Sequence, residues 1–169
     1  MKKFIIGFIS VVALAYSGFA QSEKARLLDE FGNEPCEMIL ARSDNLLDKL
    51  KRNPTTLAYI IFYEGKHLQS VYNKKTKQNE SKYLNPRYGE ARNKAKAITF
   101  YLTKWRKMSK NRLILIDGGY RESYGVELWI APQNSDPPKP SPDLERKDVK
   151  FRRGNAPGIA DCQGFYSKI

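Results

Sequence analysis

The chain has one histidine and two cysteines in 169 residues, which removes much of the chemistry that nitrogen and sulfur ligands support. Zinc sites draw on clusters of such ligands. His67, Cys36 and Cys162 are too scattered to form one, so no metal site is assigned. Glycine-rich phosphate loops are missing too. Gly118-Gly119 lacks the further glycine and following helix that such loops require, and no cofactor is assigned. A catalytic Cys36–His67 pair would need a third orienting group, which the sequence does not identify. Asp117, Glu122 and Glu127 read as turn and surface carboxylates rather than an acid/base pair, and the chain is read as non-enzymatic. Its apolar run, Phe4 to Tyr16, is shorter than the roughly 20 residues that cross a bilayer.

That run follows Lys2-Lys3 and precedes Ser17-Gly18-Phe19-Ala20: a positive start, an apolar centre and small residues at the exit, the layout of a secretory signal. Residues 1–20 are therefore expected to be removed, leaving no transmembrane segment and placing the protein in the periplasm or outside the cell. In an oxidising compartment an even cysteine count favours a Cys36–Cys162 disulfide. The alternative is two separate thiols, one packed and one in a loose tail.

Negative charge is scarce in one stretch. The formal charge is +12, and between Lys74 and Arg112 stand 13 basic residues against two acidic ones, Glu80 and Glu90. Such asymmetry points to an anionic partner. Outside the cytoplasm this means a cell-envelope polymer or lipid head groups; export argues against a dedicated nucleic-acid role.

Ala91, Ala95, Ile98, Leu102 and Trp105 recur at helical spacing, predicting an amphipathic helix over 85–107 that starts at Asn85-Pro86. An earlier helix is expected behind Asn33 and Pro35, with Ile39, Leu46, Leu47 and Leu50 on its apolar side and Lys49, Lys51 and Arg52 suiting its C-terminal carbonyls. Leu57 to Tyr63 is a nearly continuous apolar run, as in a strand covered on both faces. A weak strand is expected around Arg26 to Phe31. Glu64 to Leu84 reads as a long polar loop, basic through its lysines. Leu113 to Asp117 and Val126 to Ala131 read as a hairpin about a Gly118-Gly119 turn. Four prolines from Pro137 to Pro142 give a stiff linker, followed by a tail with a short strand at Val149 to Phe151. The expected organisation is a signal peptide (1–20), one domain (21–131) and a Pro-rich extension with a basic tail (132–169).

Strand, helix, strand, helix, strand, strand behind a signal peptide, with Tyr101-Leu102 in the second helix, Arg112-Leu113 entering a strand, Gly118-Gly119 leaving it and Val126-Glu127-Leu128 in the last, resembles the outer-membrane protein A C-terminal-like domain. The resemblance covers residues 26–131. It implies a βαβαββ sandwich of the α/β (α+β) class, two helices on a mixed sheet, and non-covalent binding of the peptide of peptidoglycan. The family grips that peptide with an aspartate after the second strand and an arginine before an alanine in the second helix. Here the matching positions hold Glu64, and Lys94 before Ala95. The family's asparagine and Leu-Ser pair are Arg87 and Glu90-Ala91, and its two arginines before the last Val-Glu are Tyr124 and Gly125. Lysine meets a carboxylate without arginine's flat fork, so the grip is expected to be altered.

These readings combine into an exported binding module for an anionic cell-envelope polymer, peptidoglycan among them. Lys94 and Arg92 are the expected contacts, Arg87 and Lys96 support them, and Glu64 would meet an amine. The alternative is a protein-interaction module in which the Pro-rich extension binds another envelope protein.

Overall fold

In the computed structural model, which describes residues 24–156, the chain runs β1 (Arg26–Phe31), α1 (Cys36–Arg52), β2 (Thr56–Asn73), β3 (Gln78–Leu84), α2 (Glu90–Phe100), β4 (Leu113–Ser123) and β5 (Gly125–Pro132). The class is α+β, with two α-helices and a five-stranded sheet. The expected signal segment and Cys162 lie outside the described residues.

β2 organises the sheet. Its apolar half, Leu57 to Tyr63, pairs on both edges, parallel to β4 (Ala58↔Leu113) and antiparallel to β5 (Thr56↔Pro132 to Tyr63↔Gly125). β1 adds to β5, antiparallel. Two-sided pairing is what a continuous run of aromatic and β-branched residues favours. Ala58, Ile60 and Phe62 join Val126, Leu128 and Ile130 in one core with Leu46, Leu47 and Leu50 of α1 and Ala91, Ala95 and Ile98 of α2. The alternate residues Tyr59, Ile61 and Tyr63 are also buried, on the other face.

The expected β4–β5 hairpin does not form, because β2 lies between the two strands. Their connection, Ser123-Tyr124-Gly125, crosses over β2 at Gly65, where Tyr124 N–H donates to the Lys66 carbonyl at 2.8 Å. A Cβ on Gly65 would stand 2.3 Å from the Ser123 carbonyl carbon, so the crossing needs a glycine. Gly118-Gly119 is likewise no turn. The strand runs on through it, and Gly118 leaves room for the Tyr63 ring, which a Cβ would meet at 2.4 Å.

Glu64 to Leu84 is not a loop either. β2 continues past the crossing and pairs with β3 from His67↔Leu84 to Asn73↔Gln78, forming a two-stranded arm. Its polar, lysine-rich strands carry little apolar alternation, the signal by which strands are read. The second helix starts at Glu90, after Gly89 in the left-handed region (φ 79°), rather than at Asn85. It widens into a π-turn over Tyr101–Trp105. That turn shifts the helical phase, so Trp105 of the predicted apolar row ends up exposed, while Tyr101 packs on the core and donates to Asp44 at 2.9 Å.

The Pro-rich segment runs back along the sheet. Ser141 N–H donates to the Tyr63 hydroxyl at 3.1 Å, Leu144 N–H to the Tyr120 carbonyl at 3.1 Å, and Arg121 to the Ser141 carbonyl at 3.1 Å. Farther on, Phe151 packs edge-on to Tyr88 and Tyr120, and the Arg146 guanidinium covers Tyr88 and Phe151. In place of the short strand expected at Val149 to Phe151, a single bridge joins Arg152 to Arg87.

Candidate functional site

The site forms where the segment before α2, the base of the β2–β3 arm and the C-terminal segment meet. Gly89 turns the chain so that Glu90 opens α2, and its carboxylate reaches back to the Arg87 N–H at 2.9 Å. This satisfies a donor that no helical carbonyl serves. Glu90 is buried, and three basic groups ring its carboxylate: His67 Nε2 at 3.5 Å, Arg152 Nη2 at 3.5 Å and Lys94 Nζ at 3.9 Å. Lys94 sits one helical turn on from Glu90, the spacing at which side chains on a helix meet. It donates to Asn33 Oδ1 at 2.7 Å and lies 4.5 Å from the centre of the Tyr124 ring.

These groups enclose a cavity of about 160 Å³ lined by Asn33, His67, Gln69, Arg87, Glu90, Lys94 and Arg152. Burial holds His67 below the usual histidine range, with Lys94 and Arg152 adding to the effect and Glu90 opposing it. The ring is therefore neutral near pH 7, and among the described residues Arg87, Lys94 and Arg152 line the cavity with one carboxylate, Glu90. Arg87 Nε is buried with no hydrogen-bond partner among the described residues. A buried donor in that condition is costly.

Of the residues singled out from sequence, Lys94 and Arg87 line the cavity. Glu64 lies under the first turn of α2 instead, taking the Ala91 N–H at 3.2 Å on one oxygen, while the other is buried without a partner among the described residues. Burial pushes its carboxyl up to about 7, helped by Glu90 and Asp117 and opposed by the Ala91 and Gly89 N–H groups. Arg92 stands outside the cavity, in an exposed ion pair with Asp117 at 2.8 Å, and Lys96 is exposed on α2. Cys36 is disulfide-bonded, so it offers no thiolate to a Cys36–His67 reaction.

Sequence reading missed Glu90, His67 and Arg152 as members of one site. A glutamate opening a helix carries a signal only for the helix end. Arg152 has none, because it enters through the return of the C-terminal segment: its N–H bonds the Pro86 carbonyl at 2.9 Å and its Nε bonds the Asn85 carbonyl. Among the described residues no cluster of three or more His, Cys, Asp or Glu side chains is placed to hold a metal, and no helix is long and apolar enough to cross a membrane. The chain matches no protein-family model, and a search among curated proteins returns no significant match.

Proposed function

We propose that the protein is an exported, non-catalytic binding module of the cell envelope. Its cavity at the start of α2 takes an anionic group of an envelope polymer, with a peptidoglycan carboxylate the first candidate. The observation that carries this reading is the convergence of Arg87, Lys94 and Arg152 on one small cavity that, among the described residues, holds one carboxylate, Glu90. A cavity lined by two arginines and a lysine suits a carboxylate, because charge-assisted bonds to arginine are among the stronger ones available.

The family resemblance supports the same reading. The elements run β1, α1, β2, β3, α2, β4, β5, which is compatible with the family's βαβαββ order with β3 added, and by that resemblance Lys94 stands for the family's helical arginine. The alternative, an interaction module built on the Pro-rich extension, has less support. Ser141, Asp143 and Leu144 spend their backbone N–H groups on the protein's own sheet.

Co-sedimentation with purified peptidoglycan at low and physiological salt tests the proposal. Wild type is expected to remain bound at physiological salt, and Lys94→Ala and Arg152→Ala to lose about tenfold in affinity each, the scale of one charge-assisted bond. Absence of binding, or binding that both variants retain, would overturn it.

A further inference from the structure

The β2–β3 arm lies outside the βαβαββ order and carries its apolar side chains on the wrong face for a monomer in water. Residues directly opposite in an antiparallel pair share a face, so the register places Leu68 beside Tyr83 and Ser70 beside Ser81, with Tyr72 farther out beside Asn79. Every one of these residues is exposed, Leu68 at 45 %, Tyr72 at 58 % and Tyr83 at 69 %. The opposite face holds the buried His67 and the half-buried Val71 and Leu84. That face is buried at its base, at His67, and carries polar residues such as Gln69 and Lys82 farther out, whereas the other shows an aliphatic and two aromatic side chains to solvent.

The charge around that face has one sign. Lys74, Lys75 and Lys77 crowd the tip, where Lys77 takes a left-handed conformation (φ 55°) that closes the turn. Lys66 stands at the base on the same face as Leu68 and Tyr72 by alternation. The one acidic residue between Lys66 and Leu84, Glu80, is already engaged by Lys82 at 2.9 Å and by Asn73. Tyrosines with apolar bodies and polar tips, set among lysines, match the boundary between head groups and acyl chains of a bilayer. Clustered lysines add attraction to anionic lipid.

We propose that this face of the β2–β3 arm docks on an anionic phospholipid surface, with Leu68, Tyr72 and Tyr83 entering the head-group layer and the lysines at the tip pairing with lipid phosphates. A neutral glycan fits the aromatic groups but leaves the lysines without counterparts. A polyanion such as nucleic acid fits the lysines but gives Leu68 nothing to pack on. A lipid surface meets both.

The test is co-sedimentation with vesicles of phosphatidylcholine alone and of phosphatidylcholine with an equal share of phosphatidylglycerol. A chain beginning at Gln21 keeps every described residue and removes the apolar leader, which would bind lipid by itself. Binding to the anionic vesicles only is expected. A drop of about tenfold or more is expected both when Lys74, Lys75 and Lys77 are changed to Glu and when Leu68, Tyr72 and Tyr83 are changed to Ser. Circular dichroism and peptidoglycan binding should be unchanged in both variants. In a second measurement, Tyr72→Trp should gain emission that bromine-labelled acyl chains quench, over the background of the unmodified protein. Equal binding to neutral vesicles, no binding at all, or binding that the Lys→Glu change abolishes and the Ser variant retains, would each overturn the proposal, the last by making the arm a general polyanion contact.

Discussion

Glu64 and Glu90 are buried carboxylates on either side of one helical turn, held in opposite ways. Glu90 has the Arg87 N–H and three basic side chains around it, whereas Glu64 has the Ala91 N–H on one oxygen and burial around the other. Burial raises the Glu64 carboxyl from 4.5 to about 7. Between those values the folded protein holds a proton that the unfolded chain has lost, so this group's contribution to stability falls as pH rises through the window and stays low above it. His67 acts with the other sign: its folded value lies below the ordinary 6.5, so its contribution is lost as pH falls below that value. Comparing Glu64→Gln with wild type separates the two, because both proteins carry His67. The variant is expected to be more stable than wild type at pH 8 by up to about 3 kcal/mol, with the gain shrinking toward zero near pH 4.5 when followed by denaturant unfolding. A gain of the same size at pH 5 and pH 8 would mean that Glu64 is not held protonated. At this scale Lys94 and Arg87 were legible from charge and position. Glu90 was not, because its partners come from β2 and from residue 152.

The elements show why some segments could be read and others could not. α1, β1 and the apolar half of β2 follow local patterns, and they form close to where those patterns place them. Pairing between β4 and β5 looked local because little chain separates them. It failed because the link straddles β2, a long-range arrangement that leaves one local trace, Gly65. A Cβ there runs into the Ser123–Tyr124 peptide group, with Ser123 C at 2.3 Å, Tyr124 N at 2.5 Å and Ser123 O at 2.6 Å, and no side chain can swing away to make room. Gly65→Ala is therefore expected to cost more than about 3 kcal/mol, beyond the usual range for an alanine at a glycine site. Gly89→Ala serves as the comparison, since a Cβ there meets nothing within 4 Å and only the positive φ of 79° opposes it, a cost of about 1 kcal/mol. Thermal unfolding of the two variants side by side checks the ranking, and equal losses would remove the crossing from the account of this fold.

At the scale of the molecule the sheet has one face on the helices and the other under the C-terminal segment. Tyr59, Ile61 and Tyr63 are buried on that second face. Tyr63 lies under the Arg121 guanidinium, 3.5 Å from its ring centre, and Arg121 is held in turn by Glu30, Glu127 and Ser141. The apolar run in β2 foretold two covered faces, but proline-rich composition disclosed nothing of what would cover the second. Covering it stabilises the fold by roughly 1.5–3 kcal/mol for each large side chain kept from water, less the entropy of ordering the segment. Two truncations isolate that contribution from the disulfide at Cys36. A chain ending at Ala156 loses Cys162 and keeps the covering segment; one ending at Pro132 loses both. The second is expected to melt lower than the first by on the order of 10 °C. It should also bind peptidoglycan at least about tenfold more weakly, because Arg152 goes with the segment, while the first keeps its affinity. If the two melted together, the segment would lie on the sheet without stabilising it. If the shorter chain bound with undiminished affinity, Arg152 would be no part of the site.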